Sequence, residues 1–300
     1  MGQITDMWLP VPPVPDVMEF TAEHFPKPML GYMRVFAHSE PSMDFIRTWA
    51  SGFRHAPEDV IKAMDDAGID RALITGFDEK STCGDTFIPN ELIAPLAERY
   101  PARFIPYVGV DIMRGAEAVR ELDHWVRDRG FKGLSLRPFM IGLPPDDRAY
   151  YPFYAKCVEL DIPVSIHTSA NWTTDRINDL GHPRHIDPVA AHFPELKLIM
   201  SHGGYPWVLE AVLLAWKYPN VYLEVAAHRP RHMPKAGTGW EPLFLFGQNT
   251  IKDKILFGSG WFLLGRPLPQ IVEEFRALPI KPEVMEMWLG GNAARLHPQQ

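Results

Sequence analysis

The sequence predicts an α/β fold of the (β/α)8 TIM-barrel class, organised as one domain over residues 1–300. Eight short apolar runs suit buried parallel strands, and most are followed by a helical pattern. No composition break separates one unit from the next, so nothing marks a domain boundary. A doubly wound open sheet is the alternative, but no Gly-x-Gly-x-x-Gly follows the first run to support it.

Residues 3–9 (QITDMWL) open the series as a strand. A proline-rich stretch follows, punctuated by Pro10, Pro12, Pro13, Pro15, Pro26, Pro28 and Pro41. Loops this long inside compact domains usually carry function. Phe20, Phe25, Met29 and Tyr32 give the stretch apolar anchors, so residues 10–55 are expected to form a long irregular loop that folds over the barrel as a lid. A short helix is expected over 41–50. Residues 57–68 form an amphipathic helix with Val60, Ile61, Met64 and Ala67 on one face. Strands then fall at 71–76, 103–111, 131–138, 162–168, 197–204, 220–226 and 254–258. Helices fall at 89–100, 115–130, 151–160, 185–192, 207–216, 269–278 and 282–289. Gly130 suits a C-cap, and Pro206 sits near the first turn of the helix it precedes.

The composition is that of an ordinary globular enzyme, 46% apolar and 22% charged. The net charge of −7 and the lack of any basic run exclude nucleic acid as an expected partner. No apolar stretch approaches a membrane span, and no signal peptide is visible at the N-terminus. Two cysteines, Cys83 and Cys157, cannot build a disulfide framework, which points to a reduced, cytoplasmic setting.

A barrel gathers the ends of all its strands at one mouth. Read in order, those ends are Asp6 and Trp8, Thr75, Asp111, Arg137, His167, His202, Glu224, and Gly260-Trp261. The chemical signal lies in His167 and His202, which end two neighbouring strands. Imidazole can move a proton at neutral pH or ligate a metal. Arg137 suits bidentate pairing with a substrate carboxylate. Glu224 can orient an imidazole, act as a base, or pair with Arg137. His228, in the loop after the seventh strand, can reach the same mouth. Trp8, Trp172 with its neighbour Asn171, and Trp261 suit an apolar or aromatic ligand.

With these residues in view, the chain resembles the amidohydrolase-related branch of the amidohydrolase superfamily. That branch includes decarboxylases of aminocarboxymuconate semialdehyde and of hydroxybenzoates, besides hydratases and hydrolases. The pieces that carry the resemblance are IPVSIHT around His167, LKLIMSHGG around His202, NVYLEVA around Glu224, KILFGSGW around Gly260, and the closing GGNAARL at 290–296. The resemblance implies a barrel with its site at the strand ends, and it suggests a homodimer.

The chain also departs from that pattern. The family's first strand ends in His-x-His or Glu-x-His, two metal ligands; here Trp8 and Pro10 occupy those places. The family's last strand ends Gly-Ser/Thr-Asp-Trp/Tyr, whose Asp completes the site; here Gly260 stands there. A catalytic divalent metal generally needs about three protein ligands, and His167 and His202 alone survive. The expectation is therefore no cofactor and a metal-independent lyase or hydrolase acting on a small carboxylated or aromatic substrate. His167, His202 and Glu224 would be catalytic, with Trp8, Arg137, Asn171, Trp172, His228 and Trp261 around the substrate. Without a Lewis acid, decarboxylation, hydration, retro-aldol cleavage or lactone opening is favoured over hydrolysis of unactivated amides. Two alternatives stand beside it. A zinc or manganese ion can be held by a rearranged set of His167, His202 and Glu224 or His228, or the barrel can be an inactive binder of a ligand or partner.

Overall fold

The structure is a computed structural model that describes residues 3–9, 12–32, 42–51 and 55–298. Eight parallel strands follow one another around the sheet in chain order. They are β1 (Ile4–Asp6), β2 (Ile69–Thr75), β3 (Phe104–Gly109), β4 (Gly133–Leu136), β5 (Val164–His167), β6 (Leu198–Ser201), β7 (Val221–Glu224) and β8 (Ile255–Leu256). The ring closes through Met7 N–H donating to the Phe257 carbonyl at 2.8 Å and Gly260 N–H donating to the Trp8 carbonyl at 3.2 Å. Each of the eight predicted strands is present, and the barrel class is observed.

The interior is small and apolar: Met7, Leu73, Ile105, Tyr107, Ile199 and Leu256 meet inside the ring. Ala293 and Leu296, from the last helix (Asn292–Leu296), join that cluster and so plug the amino-terminal end. His297 completes the plug, sharing a 2.8 Å hydrogen bond with the Tyr107 hydroxyl, while Arg71 donates to its carbonyl. Burial pushes the His297 imidazole down to about 3, so it stays neutral in the fold across mildly acidic pH. The unfolded chain protonates near the ordinary histidine value, so lowering the pH below it favours unfolding. Relative to a His297→Gln variant, the wild type is expected to lose up to about 1.4 kcal/mol per pH unit between roughly pH 6 and 4. Urea titrations at a series of pH values measure that difference.

The stretch between β1 and β2 is more ordered than its prolines predict. Pro15–His24 is a helix with Pro15 in its first turn, where a missing N–H costs nothing, and the chain leaves it just before Pro26. Lys27–Gly31 is a 3-10 turn and Met43–Ser51 a helix. Residues 10–11, 33–41 and 52–54 of the predicted lid, Pro10 among them, lie outside the described residues. A hairpin of Phe77–Asp78 and Thr86–Ile88, unmarked in the sequence reading, follows β2. Among the described residues, no helix is long and apolar enough to cross a membrane. Cys83 is half-buried and Cys157 buried, both as free thiols.

Candidate active site

Parallel pairing sets His167 of β5 opposite Ser201 of β6, so His202 follows one residue beyond its neighbour's end. The two imidazole rings lie 5.0 Å apart at 67°. His202 adopts a left-handed backbone, φ 67°, uncommon outside glycine and a form of strain that clusters at functional sites. Trp8, just past β1, sets its indole edge-on against His202 at 4.6 Å, and Phe139 packs on His167 at 4.5 Å. His167 keeps part of its ring exposed, with Nε2 at 3.2 Å from the Ser169 hydroxyl. The Nδ1 atoms of both histidines are buried without a hydrogen-bond partner.

Desolvation holds both imidazoles neutral. It pushes His167 down to about 3, helped by the Arg137 charge, and His202 well below the usual range, helped by His167 and His228. Glu224 lies fully buried behind His202. Its carboxyl accepts the His202 N–H at 3.3 Å and the Ala226 N–H, and Oε2 is 3.9 Å from His202 Nδ1. Burial raises Glu224 well above the carboxylate range, against the pull of those two amides. His202 Nδ1 thus faces Glu224 without hydrogen-bonding to it, and Nε2 lies on the opposite edge of the ring. Asp6 is a second buried carboxyl at this end of the barrel. Its Oδ1 accepts from Trp8 N–H and Ser259 N–H, tying the β1 and β8 ends together, while Oδ2 has no partner.

Two glycines make room for this arrangement. A Cβ on Gly258 would stand 2.1 Å from Glu224 Oε1 and 2.7 Å from the Ala226 methyl. Gly258→Ala is therefore expected to displace the Glu224 carboxyl, costing about 1–3 kcal/mol of stability by overpacking and slowing turnover. Denaturant midpoints and steady-state rates check the two effects separately. Gly260, at φ 58°, faces the backbone of residue 227: a Cβ there would meet Ala227 N at 2.8 Å.

Arg137 is placed differently from the expectation. Its fork is already filled: Nε donates to Glu79 Oε1 at 2.7 Å, a second nitrogen donates to Glu79 Oε2, and a third approaches the Met29 sulfur. The guanidinium also lies over Phe77 at 4.0 Å. Both partners are buried. The bidentate edge assigned to a substrate carboxylate is thus used inside the protein, and Glu79 rather than Glu224 is its ion-pair partner. Asn171 likewise turns inward: its side-chain oxygen accepts from the Thr173 N–H and hydroxyl, shaping its own loop. Trp172 is substantially exposed beside it, and Trp261 stacks on His55 at 6.1 Å. His228 sits between Tyr205, at 4.4 Å, and Trp240, at 5.0 Å, and burial pushes it down to about 4. Near enough to depress His202 electrostatically, it belongs to the same mouth.

The residues present do not fit the metal that the family pattern implies. The first-strand position carries an indole packed on His202, the last-strand position carries Gly260 against backbone, and Pro10 lies outside the described residues. Among the described residues, no group of three His, Cys, Asp or Glu side chains is placed to hold an ion.

An eight-stranded parallel barrel with paired histidines at its carboxyl-terminal mouth defines an enzyme-like TIM-barrel scaffold. The chain belongs to the amidohydrolase family, whose model matches residues 8–298. It is 33% identical over 143 residues to a 2-keto-4-carboxy-3-hexenedioate hydratase from Sphingobium sp., a match covering 39% of this chain and 41% of the hydratase. The chain spans less than half the length of the curated relatives it matches. A TIM-barrel protein of uncharacterised function from Bordetella bronchiseptica superposes with a TM-score of 0.73 at 27% identity, covering 98% of each chain. A dihydroxybenzoic acid decarboxylase from Polaromonas sp., solved with manganese and 2-nitroresorcinol, has the same fold at a TM-score of 0.66 and 19% identity, covering 99% of this chain and 97% of that one.

Proposed function

We propose that the chain is a lyase that hydrates or decarboxylates a small unsaturated or aromatic carboxylate, moving the proton with histidine rather than through a bound metal. One observation carries the reading: two imidazoles 5.0 Å apart, the buried one of them backed by a buried carboxyl. The hydratase relative and the decarboxylase neighbour support the reaction class, since both reactions turn on one proton at a carbon next to an electron sink. In hydration, the base takes a proton from water as oxygen attacks the alkene, and the adjacent carbon is then protonated. In decarboxylation, the base first takes the proton of the substrate's own carboxyl or hydroxyl group and returns it to the carbon bearing the carboxylate; the C–C bond then breaks and carbon dioxide leaves. His202 Nε2 carries the proton in either case. As positive charge develops on His202, the neighbouring Glu224 carboxyl is drawn toward its ionised form, and a charge pair formed in so dry a site is strong. With Arg137 engaged by Glu79, an N–H of the neutral His167 ring is the donor left for the substrate carboxylate, with Trp8 against its apolar face.

Metal analysis of protein purified without added metal tests the metal-free part. Substoichiometric zinc and manganese, with turnover insensitive to chelator, is the expected outcome. A stoichiometric ion lost together with activity would instead favour the rearranged His167/His202/Glu224 site, for which the two unpartnered Nδ1 atoms are the available donors. The segment after β1 acts in this reading as a lid, since Met29 already touches Arg137 at the mouth. Limited proteolysis between residues 10 and 55 is expected to slow when 2-nitroresorcinol or another aromatic ligand is bound; unchanged cleavage would remove the lid.

A further inference from the structure

The helix after β6, Val208–Lys217, buries Val208, Ala211, Val212, Leu214 and Ala215 against the barrel. Its outer face is not the polar one a solvent-facing helix normally shows. Leu209, Leu213 and Trp216 stand 58, 57 and 56% exposed, at the i, i+4 and i+7 positions of one stripe. The neighbouring helix, Glu241–Phe246, continues the surface with Leu245, 66% exposed, and the Phe246 ring lies 5.6 Å from that of Trp216. Together these side chains make an apolar surface of the kind that marks interaction sites rather than scattered single exposures. None of them touches the histidine site, so catalysis does not account for them.

The charges beside the stripe say what covers it. Glu210 and Lys217 flank it at opposite ends, and both are exposed, although Glu210 also neighbours His182 and Lys217 also bonds Asp187. Leu209 and Glu210 lie three or four residues before Leu213; Trp216 and Lys217 lie three or four after it. An antiparallel pairing of this helix with itself, about a two-fold axis near Leu213, therefore sets Leu209 against Trp216 of the second copy. The same axis sets Glu210 against Lys217 of the second copy, twice over. Two-fold contacts are isologous and require this self-complementarity. A parallel pairing would oppose like charges and forfeit it.

We infer that this face is the interface of a homodimer, formed by the Val208–Lys217 helix and Leu245 of each of two copies packed antiparallel. Sedimentation equilibrium of the full-length protein tests it across a range of micromolar concentrations. Wild type is expected as a dimer and Leu213→Glu/Trp216→Glu as a folded monomer, with unchanged far-ultraviolet circular dichroism as the control. Charge exchange supplies a test that misfolding cannot imitate. Glu210→Lys alone and Lys217→Glu alone should each weaken the dimer at least tenfold. An equimolar mixture of the two single variants should restore it, because the opposed pairs regain opposite sign. A monomeric wild type, a dimer that survives the double glutamate variant, or single variants that fail to complement when mixed would each overturn the assignment.

Discussion

Arg137→Met is expected to lower the unfolding free energy by about 3–5 kcal/mol, the cost of stranding a buried carboxylate whose partner has gone. Among the described residues Arg137 is the cation Glu79 pairs with, and desolvation raises its carboxyl against the pull of Arg137. Glu79→Gln should cost a similar amount by leaving the guanidinium unpaired. The double variant Arg137→Met/Glu79→Leu should recover most of the loss, since a well-packed apolar pair often matches a buried ion pair. Urea midpoints at constant m-value give all three numbers. If Arg137→Met left stability unchanged, the ion pair would be open to water, and Arg137 would again be available to a substrate anion.

His202→Asn is expected to reduce turnover by about 10^2–10^4-fold, the range general acid–base catalysis supplies. Asparagine is the variant of choice because it tolerates the left-handed backbone that His202 occupies. The fold should therefore survive, and an unchanged melting temperature would separate lost chemistry from lost structure. Hydroxylated benzoates, followed by carbon dioxide release, and unsaturated dicarboxylic acids, followed by loss of conjugated absorbance, are the substrates to screen. Turnover by His202→Asn at the wild-type rate would remove His202 from the reaction.

The barrel was legible because its signals are local. Each strand is a short apolar run with its own turn residues, and a strand such as Leu198–Ser201 needs no distant partner to be recognised. His167 and His202 were legible for the same reason, being strand-end residues on consecutive units. Arg137 was misplaced because its partner, Glu79, lies 58 residues away in a hairpin with no periodic signature. The packing of Phe139 on His167 was hidden likewise, since an aromatic residue after a strand reads only as core. The helix Pro15–His24 was obscured by prolines whose positions, at its start and just past its end, are compatible with a helix between them. Asp6 was visible as a strand end, but its tie to Ser259 spans 253 residues and closes the ring, a relation only the fold can create.

The close approach of Ala227 to Gly260 bears on reversibility. Residue 227 is itself a left-handed non-glycine, so the loop after β7 has folded into the space a side chain at 260 would claim. Reintroducing aspartate there asks that side chain to adopt φ 58° and push aside backbone, not a yielding rotamer. Restoring histidine at position 8 would leave that obstruction untouched. Building a metal-binding mouth on the family pattern would therefore mean rebuilding a loop, beyond exchanging the side chains at positions 8 and 260.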